Sequence, residues 1–530
     1  LSYRGFVAEF VFGLQGLNAS KNQIAIPHSA LIEAENITYE DVSFRGIGGA
    51  DLLDANGVSG APEIFDVFDY HPSDGLQRLL SAASDGKLYK EVDGDIDSVT
   101  LGSGLSTTER GHFVAAGQEA TGADMHAIYF NGVDAPRVLN ADGSTVDSDV
   151  TTKAADWSGT NQPIGGFIHR ASLVAFGNLN APHRIYISAP GDHEEFVTGV
   201  TFFQIMPGIG ERIFAGTSFK GLAWFFKYPF GIAFLDDRDA SSSNWYYKLY
   251  TSAVGIAPSP KSILNIGDDI LFLSAEGTFH LLTAVQPGED DIRQSDLSHA
   301  LNITPWIRDN IALDRLGQVN SVWYSHKRKA MFSLPRVGSQ VNDAILEFDF
   351  SDKSTPKFSY SFRDSATALA MRLDETRQIR TPIHGTSAGQ VYLMDRANQS
   401  KDSAGYLKKF MIPHTDFSWL DRKLAGKRKN YQFIELHGEP LGTYNLTVEV
   451  FLDGVVEQTF TMALTPRGGA LGTFVLGSDQ LAGTQAVRNK ASLYGSSDRF
   501  SVRVSNNGEN ENFSLSKMLV GFTPGPEDLS

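Results

Sequence analysis

The chain has 530 residues, no cysteine, and 62 acidic against 45 basic side chains, a formal charge of −17. The missing cysteine excludes disulfides, thiolate metal sites and a cysteine nucleophile. The acidic balance argues against a general binder of nucleic acid or anionic membrane. With 51 glycines and 35 phenylalanines, the composition points to short strands and tight turns, an all-β protein of two or three domains. The most apolar run, Gly221–Leu235, is broken by Lys227 and Pro229 and is too short to span a bilayer.

In chain order, residues 1–60 read as an N-terminal segment joining the domain that follows. A recurrent layout then begins: an apolar run, a small polar turn ending in Gly, and a second strand. It occurs in Leu79–Val92 around Gly86, in His126–Asn140 around Asn131-Gly132, in Asp268–Leu282 around Glu276-Gly277 and in Pro382–Asp395 around Gly389. Between these lie further strand pairs in Gly165–Pro190, Arg212–Asp237 and Ser321–Phe350. A repeat of about 40–50 residues with several strands per unit is the signature of propeller blades. The expectation is therefore a β-propeller over residues 61–420, with about seven blades and a range of six to eight. Past Trp419 the character changes. Leu446, Val448 and Val450 alternate with polar residues before an Asp453-Gly454 turn, and Arg499–Pro524 reads as another alternating pair around Asn506-Asn507-Gly508. Residues 421–530 are expected to form a separate C-terminal β-sandwich.

Gly385-Thr386-Ser387-Ala388-Gly389 matches the G-x-S-x-G pattern of hydrolase nucleophile elbows. An elbow needs a turn from strand into helix. The Val391-Tyr392 run that follows favours a strand, so Ser387 is expected in a hairpin, equivalent to Ser84 and Ala275. Other chemical motifs also fail. Gly191–Phe196 lacks the second histidine of a zincin. Asp93–Ser98 begins like a calcium loop but has Gly104 where a glutamate is required. Arg45–Asp51 lacks the P-loop lysine. No catalytic, cofactor-binding or metal-ligating residue is singled out. Two basic clusters do stand out, Lys327-Arg328-Lys329 and Lys427-Arg428-Lys429. They read either as a solvated turn and linker or as contacts with an acidic neighbouring subunit or with phosphates.

Longer segments carry a resemblance. Gly16–Gly49, with Gly16, Leu17, Asn18, Pro27, Leu31, Ala34, Glu35, Asn36, Arg45, Gly48 and Gly49, is similar to the start of head–tail proteins of tailed bacteriophages. Gln162–Phe196, with Arg170, Pro182, Arg184 and Ser188, and Gly255–Leu281 continue the similarity. The resemblance implies a structural virion protein: the tail nozzle, or packaged-DNA-stabilisation protein, of a short-tailed phage. Such a protein forms a six-fold homo-oligomeric ring below the portal and adaptor. It continues and closes the DNA channel and carries fibres, spikes or a needle. The implied location is the virion tail, assembled from chains made in the bacterial cytoplasm, with viral DNA passing through without sequence-specific binding. No cofactor is implied. Two other readings are a propeller-type polysaccharide-degrading enzyme and a carbohydrate-binding adhesion module built on the C-terminal domain.

Overall fold

The computed structural model describes residues 5–525, apart from 41–42, 72–76, 119–123, 140–147, 151–152, 198–199, 240, 285–295, 363–364, 375–377, 397–399, 402–403, 440, 443 and 465–486. Several stretches named above, including Asn140 and part of the expected C-terminal domain, therefore lie outside the described residues.

The chain is an all-β propeller. Antiparallel four-stranded blades are built from residues 64–102, 112–149, 165–204 and 213–251, in simple consecutive order. A three-stranded sheet follows (263–281), then a fifth four-stranded blade (320–361) and a sixth (366–396). The strand Gly49–Leu52, from before the first blade, supplies the outermost strand of the sixth through the pairs Tyr392↔Leu52 and Leu393↔Asp51. The ring closes where Ala366–Asp374 lies against Ile64–Tyr70.

Why such runs form blades is visible in Ser172–Phe176, a strand whose residues are all buried. Successive side chains of a strand point to opposite faces. Leu173 and Ala175 therefore join the core shared with the second blade, beside Ile128 and Phe130. Val174 and Phe176 join the core shared with the fourth, beside Phe225 and Ala233. The same division recurs at the interfaces of blades one and two, five and six, and six and one. A strand covered on both faces loses its polar alternation, which is why these segments read as unbroken apolar runs.

The C-terminal strands do not form the separate sandwich expected. They divide between two sheets that both contain N-terminal strands. One runs on from the fifth blade: Lys357–Ser361 pairs in parallel with Glu33–Glu35, followed by Lys408–Met411, Phe500–Asn506, Tyr444–Leu452 and Val455–Leu464. The other joins Ile37–Glu40, Ser43–Gly46, Ser514–Pro524, Lys429–Glu439 and Val487–Ser492, with Phe6–Val11 along Ser514–Pro524. The Asp453-Gly454 hairpin forms as expected. The pair expected around Asn506–Gly508 does not, because Phe500–Asn506 and Ser514–Pro524 enter different sheets. The two sheets meet over an aromatic core in which Phe410 contacts the rings of Phe12, Phe44 and Phe513.

Candidate functional site

The serine motif lies in a hairpin, as its sequence context predicts. It joins Ile379–Thr386 to Val391–Arg396. Thr386 Oγ1 accepts from the backbone N–H of Ala388 (3.3 Å) and Gln390 (3.1 Å), and Gly389 has φ +74°, a conformation glycine adopts without strain. Ser387 Oγ donates to Ser365 Oγ at 3.1 Å. The turns at Gly86, Gly132, Gly277 and Gly389 all join the second and third strands of their sheets. Ser387 is thus topologically equivalent to Ser84 and Ala275.

A serine, a histidine and an aspartate do meet elsewhere, unannounced by any local motif. His169 Nδ1 lies 2.9 Å from Ser218 Oγ, and its Nε2 lies 3.0 Å from Asp237 Oδ2. The nitrogens are exchanged relative to a hydrolytic triad, in which Nε2 faces the serine and Nδ1 the acid. Arg170 also spends its guanidinium on Asp237, through the backbone oxygen at 2.6 Å and Oδ1 at 3.3 Å. Burial lowers the His169 pKa despite the Asp237 charge that opposes it. The group joins the inner strand of blade three to blade four and acts as a staple.

The two basic clusters share one pattern: the first lysine half-buried, the arginine exposed, the last lysine buried. Lys327 Nζ reaches Asp395 (2.9 Å) in the sixth blade and Glu40 (3.5 Å) in the N-terminal hairpin. Lys329 Nζ bonds Glu347 at 2.8 Å and Thr38, while Thr38 Oγ1 donates to Glu347 at 2.7 Å. Arg328 stands at the tip of the turn with φ +53°. In the second cluster, Lys429 Nζ donates to the Asp498 carbonyl (3.0 Å) and Arg428 Nη2 to the Ser496 carbonyl (3.0 Å). Burial lowers the Lys429 pKa against the pull of Asp416, Asp498 and Asp453. Lys327 and Lys329 therefore tie the N-terminal hairpin to the propeller, and Lys429 ties the Lys429–Glu439 strand to its neighbouring loop. Arg328 and Arg428 carry the exposed charge.

The start of the calcium-like loop gains a partner from elsewhere: Asp54 joins Asp95 and Asp97, with carboxylate oxygens within 4.8 Å of one another. Asp97 and Asp54 contribute to raising the Asp95 pKa, after the effect of desolvation.

One concave site lies over the propeller axis. A cavity of about 260 Å³ is lined by segments at the starts of successive inner strands, among them Glu109–His112, Ile164, Arg212, Pro258–Lys261 and Gly317–Asn320. Inner strands of a propeller run the same way, so their leading ends gather at one mouth. Three cations reach its wall. Arg110 is paired with Glu63. Lys261 lies 3.3 Å from Asp66, a fully buried carboxylate. Arg212 donates Nε to the Gly177 carbonyl, and desolvation brings its pKa down to about 10, against the attraction of Glu109. His112 is buried, and desolvation with the Lys261 charge brings it down to about 3. In a neighbouring unit, burial brings His280 down to about 4 against the opposing charge of Asp296. Both imidazoles are neutral when folded and ordinary when unfolded. Their contribution to stability is complete above about pH 6.5 and is lost as pH falls toward 4 and 3. Denaturant midpoints should therefore decline from pH 6.5 to 4 more steeply in the native chain than in a His112→Gln/His280→Gln variant. Equal slopes would contradict this.

No family model matches the chain, and no curated protein is similar to it. Among solved structures, 66% of the chain is similar to the whole of the computationally designed Ika8 protein, at 12% identity and a TM-score of 0.37. It is similar over 69% of its length to 98% of BBS1N, crystallised in complex with ARL6DN, at 11% identity and a TM-score of 0.39. Over 66% of its length it is similar to 29% of Raptor from Chaetomium thermophilum, at 11% identity and a TM-score of 0.39. Likenesses this distant do not bear on what the chain does.

Proposed function

We propose that the chain is a structural virion protein, one subunit of a homohexameric ring that forms the nozzle of a bacteriophage tail below the portal and adaptor. Its sequence resemblance to head–tail proteins supports the reading. The observation that carries it is what the first of the family-like segments does. Residues 16–49 hold the strand that joins the fifth blade to the C-terminal strands, and the hairpin that Lys327 and Lys329 clamp. Gly49–Leu52, which begins at its end, completes the last blade. A molecule latched at this many points transmits force as one body, which suits a mechanical part. In this reading the task is mechanical rather than enzymatic. The ring continues and closes the DNA channel, viral DNA slides past an acidic surface, and fibres, spikes or a needle attach below. The exposed Arg328 and Arg428 face acidic neighbours in the ring.

Mass measurement on the purified chain should find a closed six-copy assembly. Arg328→Glu with Arg428→Glu should lower the assembled fraction while leaving the melting temperature within about 2–4 °C. A monomer at every concentration, or turnover of host-surface polysaccharide, would overturn the proposal.

A further inference from the structure

We infer that neighbouring copies of the chain join through the basic loop 419–428, which docks on the acidic hairpin tip 92–97 of the next copy's first blade. The contact rests on the reading of the chain as a ring subunit and specifies what joins one subunit to the next. Four of the chain's 45 basic side chains fall in these ten loop residues, Arg422, Lys423, Lys427 and Arg428, against one of its 62 acids, Asp421. Arg422, Lys423 and Arg428 are exposed and have no carboxylate partner among the described residues. Beside them, Trp419 and Leu420 are each 37% exposed. The loop is fixed from beneath. Trp419 stacks on His28 at 3.9 Å and donates Nε1 to Thr415 Oγ1 at 3.1 Å. Asp421 caps the turn by accepting from the Lys423 backbone N–H at 2.9 Å, and Leu424 is buried. A surface fixed in advance loses little conformational freedom on docking. Tryptophan and arginine side by side are also the residues that most often anchor an interface.

The hairpin tip is the loop's counterpart in both charge and apolar surface. Lys87–Val92 turns into Asp95–Gly102 through Asp93-Gly94, both with positive φ. Asp93 and Asp95 are exposed and Asp97 is half-buried, and no lysine or arginine pairs with them among the described residues. Other acids are matched inside the chain: Glu33 by Arg503, Glu35 by Lys409 and Glu40 by Arg45. Desolvation, and then the like charges of Asp97 and Asp54, raise the Asp95 pKa. A cation arriving from outside relieves that repulsion. Val92, 38% exposed at the same tip, offers apolar surface to Trp419 and Leu420. No ion pair joins loop to tip within one chain among the described residues, so each is available to a different neighbour. A closed ring needs two such unlike, complementary surfaces on every subunit. A duplex phosphate backbone would match the cations but offers no apolar surface to Leu420.

The assembly mass of the full chain, read across concentration, tests the contact with two charge reversals. One is Arg422→Glu with Lys423→Glu in the loop, the other Asp93→Lys with Asp95→Lys at the tip. All four positions are exposed, so the melting temperature of each variant should stay within about 2–4 °C of the native one. Each reversal alone should raise the concentration needed for assembly about tenfold or more, because like charges then meet. An equimolar mixture of the two should assemble at close to the native concentration. In an alternating ring every loop again faces a tip of opposite charge, and an even number of positions alternates without a mismatch. Recovery on mixing also shows that both variants fold. A native ring that neither reversal weakens, or a mixture of folded variants that does not recover, would overturn this contact and leave the ring reading standing. Loss of duplex-DNA binding on loop reversal with assembly unchanged would overturn it too. A native chain that stays monomeric at every concentration would overturn both.

Discussion

A fragment spanning Asn430–Ser530, expressed alone, should give no cooperative melt and no dispersed amide spectrum. Its longest edge strand, Ser514–Pro524, is covered in the whole chain by Phe6–Val11 through six consecutive pairs from Phe6↔Phe522 to Val11↔Lys517. Ser43–Gly46 covers its beginning through Ser514↔Arg45 and Leu515↔Phe44. Without them a long apolar strand presents an open edge, which pairs with other chains. The core loses as much. Phe522 and Phe500 pack on Phe417, and Phe513 packs on Phe410, both upstream of the fragment. Arg503 loses Glu33, which it meets at 2.8 Å, and keeps Glu449 at 3.3 Å. Deleting one buried phenylalanine costs about 3–5 kcal/mol, and the fragment loses several such contacts at once. A dispersed spectrum with a sharp melt would show that these strands fold on their own and would remove the structural basis for a single latched body. It would also revive a C-terminal adhesion module.

The second large effect separates two adjacent residues of one basic run. Lys329→Met should destabilise the chain by about 3 kcal/mol, whereas Arg328→Ala should stay within about 0.5 kcal/mol. The Lys329 and Glu347 side chains are 4% and 12% exposed. Removing the ammonium leaves Glu347 with the Thr38 hydroxyl and no countercharge. Adding Glu347→Gln to Lys329→Met should restore part of the loss, because the stranded charge is then gone. Urea denaturation of the three variants decides it. Equal effects at 328 and 329 would mean that the buried pair does not hold the N-terminal hairpin.

The propeller was legible because its turns repeat. Gly86, Gly132, Gly277 and Gly389 adopt positive φ between equivalent strands, and a hairpin glycine leaves a local mark. The partners of the C-terminal strands were not legible. The alternation of Leu446, Val448 and Val450 shows that one face is buried, but not against which strand. Phe500–Asn506 and Ser514–Pro524 look like a hairpin in sequence and enter separate sheets. The intramolecular partners of the basic runs were hidden for a related reason. Lys329 meets Thr38 across 291 positions and Lys327 meets Glu40 across 287, so their partners lie far outside any local window. The axial cavity left no motif at all, since its lining is assembled from short segments of successive blades that lie far apart in sequence.

The closing strand has a consequence for how the molecule is made. Gly49–Leu52 leaves the ribosome early, yet its partner Val391–Arg396 belongs to the last blade. At a synthesis rate of about 5–20 residues per second, the early strand waits roughly 20 to 70 seconds for its mate. Until then the nascent ring stays open, with its first and last sheets unjoined. Ring closure is therefore a late event of biogenesis, and a pause or truncation upstream of residue 391 strands every preceding blade without its clasp.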